Sequence, residues 1–380
     1  MKSLTECRVL IVDDVKANVD VLVQALREDH KLSVALDGES ALKSVEKNPP
    51  DLVLLDIMMP GIDGYEVCRR LRANLASQEI PVMFLSSLEE IKSKTMGFEV
   101  GGNDYLTKPF EMLEVKARVR SLLKAKAYSD AVKEKIAAEL AVARDIQLGI
   151  LPANVSACVA GTNYEVCAVL EPAREVGGDL YEALRLDDGR ILVAVGDVSG
   201  KGIPAALFMA VTSTLVRTMA RQYRSPEEIL VQVNDALAMQ NPRGMFVTML
   251  CLIADPKTGV VTAANAGHPP AVLLRPGAAP SLALNTTGMV SGIMSGVEIG
   301  SETLQLEPGD CLVLYTDGVT EAFNADGGMF EEAGLLRCLG DAAGYGPKDA
   351  VAMVMDSVRK HAAGFPQSDD LTVAAFRRVS

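Results

Sequence analysis

The stretch DLVLLDIMMPG, residues 51–61, holds four successive apolar positions, closes on Asp56 and breaks at Pro60 and Gly61. Apolar residues at every position, rather than at alternate ones, mark a strand buried on both faces, the situation of a parallel sheet covered by helices on each side. Outward from it, VLIV (9–12), LSVAL (32–36), PVMFL (81–85) and DYLTK (104–108) repeat the pattern, with helical spacing between them. Five strands interleaved with helices predict an α/β architecture over residues 1–125, a doubly wound five-stranded parallel sheet. The ligand crevice of such a sheet lies at the carboxyl ends of its strands.

The chemistry-bearing residues fall at those ends: Asp13 and Asp14 after the first strand, Asp56 closing the third, Ser86 after the fourth and Lys108 after the fifth. Grouped carboxylates repel one another and resist desolvation, so a divalent cation is their usual justification. A carboxylate that accepts a phosphoryl group needs such a cation, held by neighbouring acids, and a fixed positive charge on the phosphoryl oxygens. Asp13 and Asp14 suit the cation, Asp56 the nucleophile and Lys108 the fixed charge. Any one of these acids alone would be an ordinary turn residue or helix cap; in this order, with DIMMPG after Asp56 and a Lys-Pro step at 108–109, they form one pattern.

Residues 7 to about 125 resemble a response-regulator receiver domain, whose fold is flavodoxin-like. The resemblance implies an aspartyl phosphate on Asp56, supplied by a sensor histidine kinase, and magnesium held by Asp13, Asp14, Asp56 and the Met58 carbonyl. It also implies phosphate contacts from Ser86 and Lys108, a switch through Ser86 and Tyr105, and a cis bond before Pro109.

From about Glu111 to Leu148 the composition turns to Ala, Lys, Glu, Leu and Arg without Pro, and Val115, Val119, Leu122, Val132, Ile136, Leu140 and Ala143 recur at spacings of three and four. A helix on the order of 50 Å is predicted, ended by Pro152. Its stripe is too long for a small domain to cover, so a parallel coiled coil in a homodimer is expected, the alternative being an intramolecular helix packed on the next domain, with a helical linker at 126–152 between the receiver and a second domain at 153–380.

In the second domain, runs such as ILVAVGD, MFVTMLCLIAD, CLVLYTDG and LTVAAF are separated by Gly, Pro, Asn and Asp, whereas residues 204–223, 226–239 and 348–361 have helical spacing. Sheets packed face to face with helices outside are predicted. GGDLYE (177–182), GDVSGKG (196–202), YTDGVTEA (315–322) and SDDLT (368–372) each set an acid beside Gly or a small residue, where backbone can approach a metal. Oxygen-only ligands suit magnesium or manganese, and two such ions about 3.5 to 4 Å apart can activate water against a phosphate ester. With His30, His268 and His361 the only histidines, a zinc site or a Ser-His-Asp triad has little material.

These segments resemble the type 2C (PPM) metal-dependent serine/threonine phosphatases of the bacterial branch related to sporulation and sigma-factor regulators, and ELAVARDIQLGILP (139–152) matches the segment that precedes the catalytic domain there. The resemblance implies an α-β-β-α sandwich holding two manganese or magnesium ions. Asp179, Asp197 and the Val198 carbonyl would ligate metal, with Asp197 bridging, and Asp317 and Asp369 would hold the second ion, Asp370 being the alternate. It further implies a phosphoserine or phosphothreonine substrate on a regulatory protein, an anti-sigma-factor antagonist in this branch. Leu180, Glu182 and the GMVSGIMSG loop (288–296) depart from the pattern, and His268 reads as structural. GGDLYE also looks like the signature of cyclic-dinucleotide synthases, but Leu180 stands where that signature needs an acid. A phosphorylation-dependent adaptor with an inactive phosphatase-like domain is the alternative to an enzyme.

The formal charge of -13 argues against nucleic acid as a partner. No signal-peptide pattern opens the chain and no apolar run is read as reaching the roughly 18 to 20 residues that span a bilayer, so a cytoplasmic protein without membrane insertion is expected. Seven scattered cysteines with no CxxC pair read as reduced core residues.

Overall fold

Strand β3 (Leu52–Asp56) is central to a five-stranded parallel sheet in the computed structural model of the chain, which describes residues 4–86, 99–239, 241–340 and 344–379. With β1 (Arg8–Val12), β2 (Lys31–Ala35), β4 (Val82–Ser86) and β5 (Asp104–Thr107) the order is β2-β1-β3-β4-β5. Val53, Leu55, Val82 and Phe84 pack against α2 (Gly38–Lys47) and α3 (Gly64–Ala73). Leu52, Leu54, Met83 and Leu85 face the other way, onto α1 (Lys16–Leu26) and the start of α4 (Met112–Ile150). The continuous apolar runs are thus two alternating sets, one for each helical layer. Beyond β3 the chain turns back so tightly at Gly64 that a Cβ there would lie 2.2 Å from the Asp56 carbonyl oxygen.

Helix α4 is 39 residues long, about 58 Å at 1.5 Å per residue. Val115, Val119 and Leu123 are buried, while Val132, Ile136, Val142 and Ile146 are exposed. The chain divides within this helix into two compact units, Met1–Ala138 and Glu139–Ser380.

The second unit contains two five-stranded antiparallel sheets. One runs β13-β10-β9-β8-β7, from β7 (Leu180–Arg185), β8 (Ile191–Val198), β9 (Val247–Ala254), β10 (Val260–Ala266) and β13 (Glu302–Gln305). The other runs β12-β11-β14-β15-β6, from β6 (Tyr164–Glu171), β11 (Ala271–Leu274), β12 (Ser281–Ala283), β14 (Cys311–Tyr315) and β15 (Leu371–Arg378). Period-two alternation builds the layers. Val193, Val195, Leu250 and Leu252 meet Leu312, Leu314, Ala374 and Phe376 between the sheets. Leu192, Ala194, Cys251 and Ile253 face α5 (Ile203–Gln222) and α6 (Pro226–Ala238). Val313, Tyr315, Val373 and Ala375 face α8 (Glu331–Gly340) and α9 (Pro347–Ala362), and a short α7 (Asp317–Thr320) follows β14. The result is the α-β-β-α sandwich that was expected. None of the seven cysteines is in a disulfide among the described residues, and five are buried.

One expectation needs correction: α5 is a 20-residue helix containing an 18-residue window of mean hydropathy 1.4, long and apolar enough by length and composition to cross a bilayer. Its composition has a local reason, since Ala205, Met209, Val216 and Ala220 line the core beneath the first sheet.

Glu182 of β7 is fully buried and faces this helix, where it accepts from Ser213 Oγ and, at 2.9 Å, from Arg217 Nε. Burial raises its pKa, against the pull of Arg217 and Ser213. Arg217→Ala is expected to lower stability by about 3 kcal/mol, because it strands a buried carboxylate. Protonation relieves that penalty, so thermal melts should place the variant closer to wild type at pH 5 than at pH 8; an equal gap at both would show that Arg217 acts through packing alone.

Candidate functional site

At the carboxyl edge of the parallel sheet, Asp13 and Asp56 are 0% and 4% exposed, while Asp14 is exposed. Lys108 Nζ lies 2.9 Å from Asp13 Oδ2 and 2.7 Å from Asp56 Oδ1. Asp13 also accepts from the Val15 N–H and from Asn18 Nδ2, which hold its carboxylate in place. Burial raises the Asp56 pKa while Lys108 opposes it. Burial alone would lower Lys108, but its bonds to Asp56 and Asp13 outweigh that and raise it. Ser86 Oγ is buried and has no hydrogen-bond partner among the described residues, a donor suited to an incoming oxyanion. Tyr105 is 6% exposed with its ring stacked on Phe84 at 5.4 Å, Met58 is 67% exposed, and the Lys108-Pro109 bond is cis. Among the described residues, Asp13, Asp14 and Asp56 form the group of three acids whose ligand oxygens all lie within 4.8 Å of one another. An all-oxygen set of this kind fits magnesium.

The second constellation gathers residues from both sheets of the sandwich. Asp179 leads into β7, Asp197 lies near the end of β8, Asp317 opens α7, and Asp369 and Asp370 precede β15. Asp179 is 2% exposed, and its Oδ2 accepts from Thr316 Oγ1 at 2.8 Å and Thr372 Oγ1 at 2.6 Å. Burial, then the charge of Asp197, pushes its pKa well up. Burial and the charges of Asp317 and Asp369 raise Asp197 to about 7. Asp317 is raised by burial, then by Glu321 and Asp369. Carboxylates raised by burial and by neighbouring acids are what a divalent cation relieves, so the set fits magnesium or manganese, although no three of these described acids converge within the 4.8 Å seen in the receiver. Val198 is paired in the sheet with Val247, and a Cβ on Gly178 would lie 2.8 Å from its carbonyl oxygen.

The two neighbouring acids differ in their partners. Asp370 Oδ1 accepts from the Ala173 N–H at 2.8 Å and Oδ2 from the Gly178 N–H at 2.7 Å, which makes it a strut for the Asp179 loop. That strut explains GGD: a Cβ on Gly177 would lie 2.0 Å from Asp370 Oδ2. Asp369 Oδ1 accepts from the Asp370 N–H at 3.0 Å, and its Oδ2 lies 2.8 Å from Lys201 Nζ. His268 is enclosed between the sheets, Nδ1 at 2.9 Å from Thr248 Oγ1, and burial pulls its pKa down to about 4.

Sequence reasoning missed several supports. Gln147 of α4 is buried, and its amide donates to the Gly177 carbonyl at 2.6 Å and accepts from the Gly177 N–H at 3.1 Å. Arg217 donates to the Ile150 carbonyl at the end of the same helix. In the departing loop, Asn234 Oδ1 and Asp235 Oδ1 accept from the Gly292 and Gly296 N–H groups. The position of Gln147 within ARDIQLGILP was the one available signal for any of these.

A phosphate-accepting crevice and an acid-lined edge of an α-β-β-α sandwich define the class: a receiver joined to a PP2C-type phosphatase fold. The family model described as Stage II sporulation protein E (SpoIIE) matches residues 187–379, more than half of the chain, and that of the response regulator receiver domain matches residues 9–120. The chain belongs to the SpoIIE family and carries an N-terminal receiver. Its receiver is 40% identical over 129 residues to the response regulator PleD of Caulobacter vibrioides, covering 34% of this chain and 28% of PleD. Protein IcfG of Synechocystis is 28% identical over 268 residues, 63% of this chain and 41% of IcfG. Among solved structures, the SiaA-PP2C domain of Pseudomonas aeruginosa superposes with a TM-score of 0.58 at 23% identity, covering 65% of this chain and 98% of that one. The chain therefore spans less than half of either curated relative.

Proposed function

We propose that the chain is a two-component response regulator whose output is metal-dependent dephosphorylation of phosphoserine or phosphothreonine on a regulatory protein, controlled by phosphorylation of Asp56. The observation that carries the reading is the gathering of Asp179, Asp197, Asp317 and Asp369 at one edge of the sandwich, where burial first and neighbouring carboxylates second raise the pKa of Asp179, Asp197 and Asp317 and Lys201 is the one cation beside them among the described residues. Asp179, Asp197 and the Val198 carbonyl are assigned to one divalent ion, Asp317 and Asp369 to the other, and Asp370 to the loop. Bound there, the ions would supply charge neutralisation and water activation. Thr316 and Thr372 hold Asp179 in place, and Lys201 sits beside Asp369 at the mouth. In the receiver, Asp56 is the acceptor, magnesium is assigned to Asp13, Asp14, Asp56 and Met58, and Lys108 and Ser86 contact the phosphoryl oxygens, Ser86 and Tyr105 forming the switch.

Helix α4 is the proposed conductor. Its exposed Val132, Ile136, Val142 and Ile146 support a coiled-coil homodimer, and Gln147 reaches the Asp179 loop. A sensor histidine kinase as donor and an anti-sigma-factor antagonist as substrate follow from the family likeness. The test is manganese-dependent hydrolysis of a phosphoserine protein by the full chain, with and without acetyl phosphate. Asp56→Ala is expected to keep the metal-dependent rate but lose its response to the donor. An unchanged donor response in that variant would refute the control step, and absence of both turnover and manganese binding by calorimetry would favour an adaptor.

A further inference from the structure

Beside the phosphatase acids lies a cavity of about 290 Å³ to which the proposed chemistry gives no task. Its wall includes Gly318, next to Asp317, and Ser368, next to Asp369, so it begins one residue away from two of the assigned metal ligands. The rest is largely apolar: Phe323 and Leu371 on one side, Ala362 at the end of α9, and Phe365, 45% exposed, on the loop that follows. Arg359 also lines it, but its guanidinium is paired with Glu171 and Asp356, so this wall holds no spare charge for an ionic ligand.

The loop that closes the cavity is shaped rather than slack. Two residues with positive φ, Ala363 at 47° and Gly364 at 88°, turn the chain sharply out of α9, and a left-handed alanine is a strained choice. Gln367 Nε2 then donates to the Glu171 carbonyl at 2.9 Å and the Asp369 carbonyl at 2.7 Å. One side chain thus ties the pocket wall to the backbone of an assigned metal ligand.

We infer that this cavity receives an apolar side chain of the phosphoprotein substrate, within three residues of its phosphorylated Ser or Thr. The inference rests on the phosphatase reading and adds a sequence preference to it. A volume at the low end of small-molecule sites suits one or two side chains rather than a cofactor. Two residues along an extended peptide cover about 7 Å, so a chain whose phosphate sits at the acids has a flanking side chain within reach of the pocket. Burying a leucine there should be worth about ten-fold or more in affinity.

The experiment uses the full chain with manganese and a set of alanine-rich phosphoserine peptides in which a single leucine is stepped from three residues before the phosphoserine to three after it. Turnover and fluorescence-anisotropy binding are both read, with para-nitrophenyl phosphate as a substrate that has no flanking residues. One leucine position is expected to raise kcat/KM and affinity about ten-fold over the all-alanine peptide. Ala362→Trp, which fills the cavity, and Phe365→Ala, which removes its outer wall, should each abolish that preference and leave para-nitrophenyl phosphate hydrolysis unchanged. Turnover with no leucine preference, or a preference that survives both variants, overturns the pocket and leaves the phosphatase reading standing. Leucine-selective binding without turnover of any substrate does the reverse.

Discussion

Asp197→Asn should abolish manganese-dependent hydrolysis and at the same time raise the melting temperature in metal-free buffer. The two effects share one cause. Asp197 is pushed to about 7 by burial and by Asp317 and Asp369, so its ionised form is unfavourable in the fold unless a cation offsets it. Asparagine keeps the shape and removes the charge. As the folded-state pKa lies above the unfolded value, the native state binds the extra proton between about pH 4 and 7. Stability therefore falls as pH rises through that window and is flat above it. The gain from Asp197→Asn should vanish near pH 4 and be greatest above pH 7, amounting to a few kcal/mol at most. Loss of a proposed metal ligand should cost about three orders of magnitude in kcat, the equivalent of roughly 4 kcal/mol. Differential scanning calorimetry across pH, together with turnover at saturating manganese, reads both. A variant that is less stable at pH 8, or that retains a tenth of wild-type turnover, would remove Asp197 from the centre of the site.

The parts of this architecture that were legible in the sequence are those in which burial leaves a local trace. Strands β1, β3 and β4 lie between two helical layers and had to be apolar at every position, so their ends and the residues there could be placed within a residue or so. In the sandwich, β8, β9, β14 and β15 are likewise buried on both faces. Strand β7 was not read, since its LYEALR carries a buried glutamate whose partner Arg217 lies 35 positions on. The edge strand β13, ETLQ, has no residue fully withdrawn from solvent, and β12 has only three residues. The acids themselves were legible because each sits next to Gly or a small residue. The hydroxyls that hold Asp179 were not, because Thr316 and Thr372 are 137 and 193 positions away and nothing local marks them. The choice between Asp369 and Asp370 was open on sequence alone; what separates them is the set of backbone N–H groups that Asp370 receives from the Ala173 to Asp179 segment.

Gln147→Ala should lower kcat about ten- to a hundred-fold and bring the ratio of rates with and without acetyl phosphate close to one, while phosphorylation of Asp56 proceeds as in wild type. The argument starts from hydrogen-bond accounting. The Gln147 amide satisfies both the N–H and the carbonyl of Gly177 in a buried setting, and alanine would strand two polar groups at about 1 to 3 kcal/mol each. The segment can recover that energy only by moving toward water. Movement of Gly177 carries Gly178 and Asp179 with it, and their N–H groups lie 2.7 and 3.4 Å from Asp370 Oδ2, so the loop, its strut and an assigned metal ligand shift together. The loss should fall on kcat rather than KM, because the inferred peptide-facing wall at Ala362 and Phe365 belongs to the end of α9 and the loop after it, not to the Gly177 segment. Phosphate-affinity electrophoresis of the same samples reports the receiver separately. If Gln147→Ala retained both its kcat and its donor response, α4 would be a spacer and the signal would have to reach Asp179 by another route. If kcat fell while the donor response survived in proportion, Gln147 would hold the loop without conducting the signal. The proposed coupling requires both losses together.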